Sequence, residues 1–206
     1  MPPLSLAGKH CAIVGATGIL GASIAKAFAN QGAVLTLLSR TILDARPRFE
    51  PELRRFEAPP DHPWQTRPGH HRFLPLDVSS PQDIQSVFKH AMDTETKRVS
   101  ETTVGPVDIL VNCAGISQAS LNKRTSDTEL AEILNVNLLA TMLACKHAKV
   151  ERQGNLSVNC VVSHISDVGL TDKGCIINVS SLMALKGSLG AAAYAASKAG
   201  LLGMYR

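Results

Sequence analysis

Short apolar runs alternate along the chain with stretches whose apolar residues recur at helical spacing. "CAIV" (11–14) is a compact apolar run that stops at Gly15 and reads as a buried strand. From Leu20 to Asn30, the residues Leu20, Ile24, Ala27 and Phe28 share one helical face, and Gly32 supplies the stop expected just past a helix end. "AVLTLLS" (33–39) predicts a second strand, so strand, glycine turn, helix and strand follow within one βαβ unit. "RFLPLDV" (72–78) predicts a third strand. Ser80-Pro81-Gln82-Asp83 is a helix start, with Ser at the N-cap, Pro at the first helical position and an acid at the third. Ile84, Val87, Phe88 and Ala91 make that helix's apolar face. "VDILVN" (107–112) is a fourth strand, and Ser126-Asp127-Thr128-Glu129 is a capping box. That box opens a long helix through Leu130, Ile133, Leu134, Leu138 and Met142. "CIINVSS" (175–181) is a fifth strand, and an Ala-rich helix follows from Tyr194.

Strands alternating with helices imply a parallel sheet covered on both faces. Right-handed crossovers then give an α/β, doubly wound, Rossmann-type domain, and 206 residues suit a single one. Two stretches break the rhythm. Residues 45–70 carry so many prolines that neither a regular helix nor an inner strand is expected, and they read as a surface insertion. Residues 150–173 read as a second insertion, an extra hairpin or a poorly ordered insert around "VNCVVSHI".

Composition narrows the function classes. With 45% apolar and 18% charged residues the chain is globular rather than disordered. The net charge of +4 comes without Lys/Arg clusters interleaved with aromatics, so no nucleic-acid partner is expected. No apolar run reaches membrane-spanning length, and none is expected to cross or anchor to a membrane. Five cysteines without a C-x-x-C argue for a reducing compartment, placed in the cytoplasm with the mitochondrion as the alternative. The seven histidines show no metal spacing, and His70-His71 is expected to be solvated.

The chemistry concentrates at three places. Gly15, Gly18 and Gly21 form a G-x-x-G-x-x-G turn where a strand enters a helix. Backbone N–H groups and the positive helix end there suit a pyrophosphate, and Thr17, Ile19 and Leu20 belong to the same turn. At the end of the second strand stand Ser39 and Arg40, with no acid before Asp44, which favours the 2′-phosphate of NADP(H) over the bare ribose of NAD. Finally, Tyr194 and Lys198 sit four apart on one helical face, downstream of Ser181 at a strand end. A phenol is an ordinary acid near pH 10, and an adjacent ammonium favours its ionised form. Ser181 could hydrogen-bond the carbonyl oxygen that Tyr194 protonates.

In this order the motifs resemble the short-chain dehydrogenase/reductase family: "VGATGILG", "LDVS", "NCAG" (112–115), "NVNLLATM" (135–142), "GCIINVSS" (174–181) and "YAASKAGLLG" (194–203). The resemblance implies that Asp77 and Val78 lie by the adenine and that Asn112 to Gly115, Ala114 among them, support the sheet and border the cofactor. It also implies that Tyr194 is the acid, that Lys198 holds the nicotinamide ribose, that Ser181 orients the carbonyl and that Asn137 holds a water in a proton relay. Within the family the chain looks most like 3-oxoacyl-[acyl-carrier-protein] reductases and related carbonyl reductases. The implied substrate is a small-molecule or carrier-bound ketone, with a homo-oligomer implied by the family at large. Relative to that family the chain is shortened at its C-terminal end, which makes a non-catalytic NADP-binding or interaction module the rival expectation.

Overall fold

The computed structural model describes residues 5–58, 68–89, 100–118, 120–150, 158–162 and 174–204. Among the described residues, six strands form one parallel sheet: β1 (His10–Val14), β2 (Val34–Ser39), β3 (Arg72–Pro75), β4 (Ile109–Asn112), β5 (Val158–Val162) and β6 (Cys175–Val179). Their order across the sheet is β3-β2-β1-β4-β6-β5. The winding reverses between β1 and β4, so loops leaving those neighbours diverge and open a crevice at their C-terminal ends.

The helices are α1 (Ile19–Asn30), α2 (Ile42–Phe49), α3 (Pro81–Phe88), α4 (Asp127–Leu134), α5 (Ala140–His147), α6 (Met183–Lys186) and α7 (Ala192–Gly203). On one face of the sheet, Ala25 and Ala29 of α1 join Ile42, Phe49, Cys11, Ile13, Leu35 and Leu37 in one buried cluster. On the other, Ile84 and Phe88 of α3 and Ala140 and Ala144 of α5 pack with Ala12, Val14, Leu38 and Leu110. Successive strand residues therefore feed opposite cores, which is why the strands read as unbroken apolar runs. The caps stand as expected: Ser80 Oγ accepts from Asp83 N at 3.2 Å and Ser126 Oγ from Glu129 N at 3.2 Å.

Several expectations change. β3 and β6 are shorter than the apolar runs 72–78 and 175–181, and Ala91 lies outside the described residues. Residues 42–49 are helical despite Pro47, followed by a 3₁₀ turn at Glu50–Glu52. Ile42 and Phe49, two turns apart on one face, are both buried, and Arg46 is paired with Glu50 and stacked over Phe73. That burial outweighs the one hydrogen bond Pro47 cannot donate. His71 is buried, not solvated: its Nδ1 accepts from Leu35 N at 3.1 Å and its Nε2 lies 2.9 Å from Arg54 O. It thus supplies β2 with the acceptor that β3, which begins one residue later, does not. Within 150–173 the strand β5 runs parallel to β6, which a hairpin cannot do, while 151–157 and 163–173 lie outside the described residues.

The long helix is interrupted by a π turn over Asn135–Leu139. On length and composition Asp127–His147 could cross a membrane, yet Ile133, Val136, Ala140 and Ala144 are buried, as in a core helix of an α/β layer.

Candidate active site

Gly15 follows β1 with φ +85°, a conformation L side chains rarely adopt. Its N–H and that of Ala16 both donate to Leu38 O, at 2.8 and 3.1 Å. A Cβ at Gly15 would stand 2.5 Å from Ala114 N, so glycine here lets the turn press against the end of β4. Gly21 does the same inside the turn, where a Cβ would collide with Gly15 O. Gly18 differs: its φ is −71° and a Cβ there would meet only Gly15 O at 3.4 Å. Among the described residues no side chain caps α1 after Gly18, so its first-turn N–H groups have no capping partner there. Ile19 and Leu20 are exposed on that turn, at 89% and 59%.

The turn opens onto a cleft of about 260 Å³. Of the residues expected to bind a cofactor, Gly15, Thr17, Gly18, Ser39, Arg40, Asp77, Val78, Ala114 and Gly115 line it. Ile19, Leu20, Gly21, Asn112, Tyr194 and Lys198 do not. Thr17 Oγ1 donates to Ser39 Oγ at 3.0 Å and ties the glycine turn to the end of β2. Asp77 Oδ1 accepts from Ser79 N and Oγ at 2.9 and 2.7 Å; these bonds, and further off the Arg40 cation, lower its pKa and keep it a carboxylate. Its other oxygen remains available to a donor such as an exocyclic amine. No role was expected for Thr41, Ser79, Ile116 and Glu132, which also line the cleft, as does Cys113 of the "NCAG" motif. Adjacency to Arg40, Asp77 and the "NCAG" motif could have found all but Glu132.

Asn112 is buried beneath the cleft, where its Nδ2 donates to Asn178 Oδ1, its partner in the β4–β6 register, at 2.7 Å. Its Oδ1 has no hydrogen-bond partner among the described residues. The Asn112 side chain thus supports the sheet and does not line the cleft.

At the far side of Gly115 lies the second group. Lys198 is 5% exposed, its Nζ donates to Val179 O at 2.9 Å, and that Nζ stands 5.9 Å from the Tyr194 ring centroid. Burial lowers the Lys198 pKa, and Cys113 opposes that shift. Burial likewise raises the Cys113 thiol to about 11, against a smaller pull from Lys198, so the thiol is no nucleophile at neutral pH. A Cβ on Gly115 would press on Asn137 Oδ1 at 3.1 Å and meet Lys198 Nζ at 3.4 Å, so the absence of a side chain lets this segment pass close to Asn137.

Ser180 Oγ donates to Lys198 O at 2.8 Å, fastening the end of β6 to α7 and setting Ser181 beside that helix. Ser181 Oγ accepts from Met183 N at 3.2 Å. Asn137, fully buried in the π turn, accepts from Ile116 N at 2.8 Å and donates to Ile116 O at 2.9 Å and Ser197 Oγ at 3.0 Å. Ser197 Oγ in turn donates to Tyr194 O at 2.7 Å. The Asn137 side chain is therefore engaged at both ends and fixes α7 against the β4–α4 loop. Tyr194 and Lys198, and Asn137 through Ser197, are thus joined on α7, while Ser181 adjoins Ser180, which is bonded to the same helix; Cys113, Gly115 and Ile116 lie between this group and the cleft.

The family model described as short chain dehydrogenase matches residues 9–206. A 3-oxoacyl-[acyl-carrier-protein] reductase of Mus musculus is 32% identical over 200 residues, covering 96% of this chain and 66% of that protein. Carbonyl reductase family member 4 of Danio rerio is 32% identical over 195 residues, covering 94% and 65%. A dehydrogenase/reductase structure from Sinorhizobium meliloti 1021 superposes with a TM-score of 0.68 over 98% of this chain and 66% of that one, at 24% identity. A short-chain dehydrogenase/reductase of glucose/ribitol dehydrogenase type from Brucella melitensis gives a TM-score of 0.68 at 22% identity, covering 98% and 68%. The chain thus spans about two thirds of the length of the curated relatives it matches.

Proposed function

The chain belongs to the short-chain dehydrogenase/reductase family of oxidoreductases, and on that premise we propose that it reduces a ketone, a 3-oxoacyl thioester, to the secondary alcohol with NADPH. The observation that carries this reading is Lys198: buried, one helical turn from Tyr194, bonded to the end of β6 and separated from the dinucleotide cleft by a glycine.

The residues present fit a dinucleotide. The uncapped first turn of α1 suits a pyrophosphate, and Asp77 offers an acceptor to the adenine amine. Arg40, exposed beside Ser39 and Thr41 on the cleft wall, suits a 2′-phosphate. When bound, the reduced nicotinamide supplies a hydride to the carbonyl carbon. Tyr194 gives its hydroxyl proton to the carbonyl oxygen, and the Lys198 ammonium stabilises the phenolate left behind. Ser181 donates a hydrogen bond to the same oxygen as charge develops on it. Asn137 orients α7 through its side chain, bonded to Ile116 and Ser197. An acyl chain is supported by the relatives' names and by Leu182, Leu185 and Leu189, which follow Ser181 and are 59%, 69% and 98% exposed.

NADPH titration of the whole chain, followed by acetoacetyl-CoA and measurement of NADPH oxidation, tests the reading. Tyr194→Phe should cut turnover at least about a hundredfold and leave NADPH binding unchanged. Binding without oxidation by the parent chain would instead establish a dinucleotide-binding module.

A further inference from the structure

The catalytic helix α7 starts without a local cap: Ala191 occupies the N-cap position and no neighbouring side chain bonds the first turn. Its leading N–H groups need partners from elsewhere. One partner comes from a distant part of the chain, where Gln118, in the segment between β4 and α4, places Oε1 3.1 Å from Ala193 N.

The orientation of the Gln118 amide is fixed by its other end. Nε2 donates to Ser120 O at 3.1 Å and to Thr125 Oγ1 at 3.2 Å. Thr125 is itself buried, within 2.9 Å of Ser120 Oγ and bonded to Leu121 O. A flipped amide would turn N–H against the Ala193 N–H and lose both donations. The same segment also holds the turn before α7. Gly190, at φ +78°, packs against Leu121 so closely that a Cβ there would stand 2.6 Å from Leu121 Cδ2. Tyr194 is the next residue after the capped amide, and one turn on, Ser197 is bonded to Asn137.

We propose that Gln118 is a positioning residue for Tyr194, capping α7 from the β4–α4 segment and so setting where the phenol stands relative to the cleft. The inference rests on the reading of Tyr194 as the proton donor. Gln118 does not line the cleft, so its effect falls on the chemical step and not on the dinucleotide.

The test compares the parent chain with Gln118→Met, which keeps the length and loses the acceptor, and Gln118→Glu, which keeps it. Ala193 amide exchange should quicken roughly tenfold in the Met variant and return toward the parent rate in the Glu variant, a carboxylate being a good acceptor at a helix start. With acetoacetyl-CoA and NADPH, kcat should fall roughly five- to tenfold in the Met variant, with KM and the NADPH dissociation constant within about twofold and partial recovery in the Glu variant. Equal Ala193 exchange in all three proteins overturns the cap, and faster exchange with an unchanged kcat overturns the positioning role. A parent that binds NADPH yet reduces no ketone overturns the proposed reaction, and the exchange data then judge the cap alone.

Discussion

β1 and β6 both lead into the candidate site, but β1 is buried at all five residues and β6 at only one, Asn178. The turn after β1 is built from backbone. Gly15 and Ala16 bond Leu38 O, and two glycines permit contacts that no side chain would allow. The region around β6 and α7 is built from side chains reaching across the fold: Ser180 to Lys198, Asn137 to Ser197, Gln118 to Ala193. A dinucleotide needs a fixed set of N–H groups, which a buried strand end provides at no cost in side-chain order. An acid–base group needs a particular distance to a reacting atom, which hydrogen-bonded side chains set.

Replacing the two kinds of element should therefore give different failures, and the largest is expected at the backbone turn. Gly15→Ala combines φ +85° with a Cβ 2.5 Å from Ala114 N and should destabilise the fold by roughly 3 kcal/mol in urea unfolding. Gly18→Ala has room for its methyl group and should alter stability by less than about 0.5 kcal/mol. If the two variants unfold alike, the distinction between a packing glycine and a cleft glycine is wrong.

Next comes the side-chain half. Asn137→Ala leaves the part-buried Ile116 N–H and C=O and the buried Ser197 hydroxyl each short of a partner, at a cost of roughly 2 kcal/mol. Its kcat should drop while NADPH affinity holds, since Asn137 does not line the cleft. Calorimetric NADPH titration beside turnover would show it, and a lost affinity with normal kcat would reverse the assignment. A smaller effect is expected at the cleft rim. On the proposed reading, in which the guanidinium meets the 2′-phosphate, Arg40→Gln should weaken NADPH about tenfold, or about 1.4 kcal/mol, and leave NADH unchanged. Equal losses for both dinucleotides would remove Arg40 from cofactor choice.

Local physics explains what could be read from the chain alone. The glycine turn, the Ser80 and Ser126 caps and the Tyr194/Lys198 spacing each depend on residues within one turn or one helix face. What escaped depends on contacts far apart in sequence. α2 was obscured by Pro47 because its stability comes from Ile42 and Phe49 entering the core. Gln118 meets α7 across 75 residues, with no local signature. Asn137 was legible as a site residue, but its contacts with Ile116 and Ser197 depend on a π turn that no apolar period announces.

His71 yields the smallest expected effect and the cleanest separation of the two regions, since it supports β2 at the end away from the cleft. Its Nδ1 must be unprotonated to accept from Leu35 N, and Nε2 then donates to Arg54 O. Burial lowers its pKa, against an opposing pull from the Arg54 carbonyl and Glu50. Unfolded, the imidazole titrates near pH 6.5. Because the folded value is lower, the unfolded chain binds more protons as pH falls below about 6.5, and stability falls with it. The contribution is fully present above that pH and is lost toward the lower, folded value, with a slope no steeper than about 1.4 kcal/mol per pH unit for one proton. Urea unfolding at pH 7 and pH 5.5 should show this slope in the parent and a shallower one in His71→Gln. Amide exchange should place the loss at Leu35 and around Arg54 before α7 is affected. Equal slopes would show that His71 carries no such linkage, and loss appearing first at α7 would mean that acid acts through the side-chain half instead.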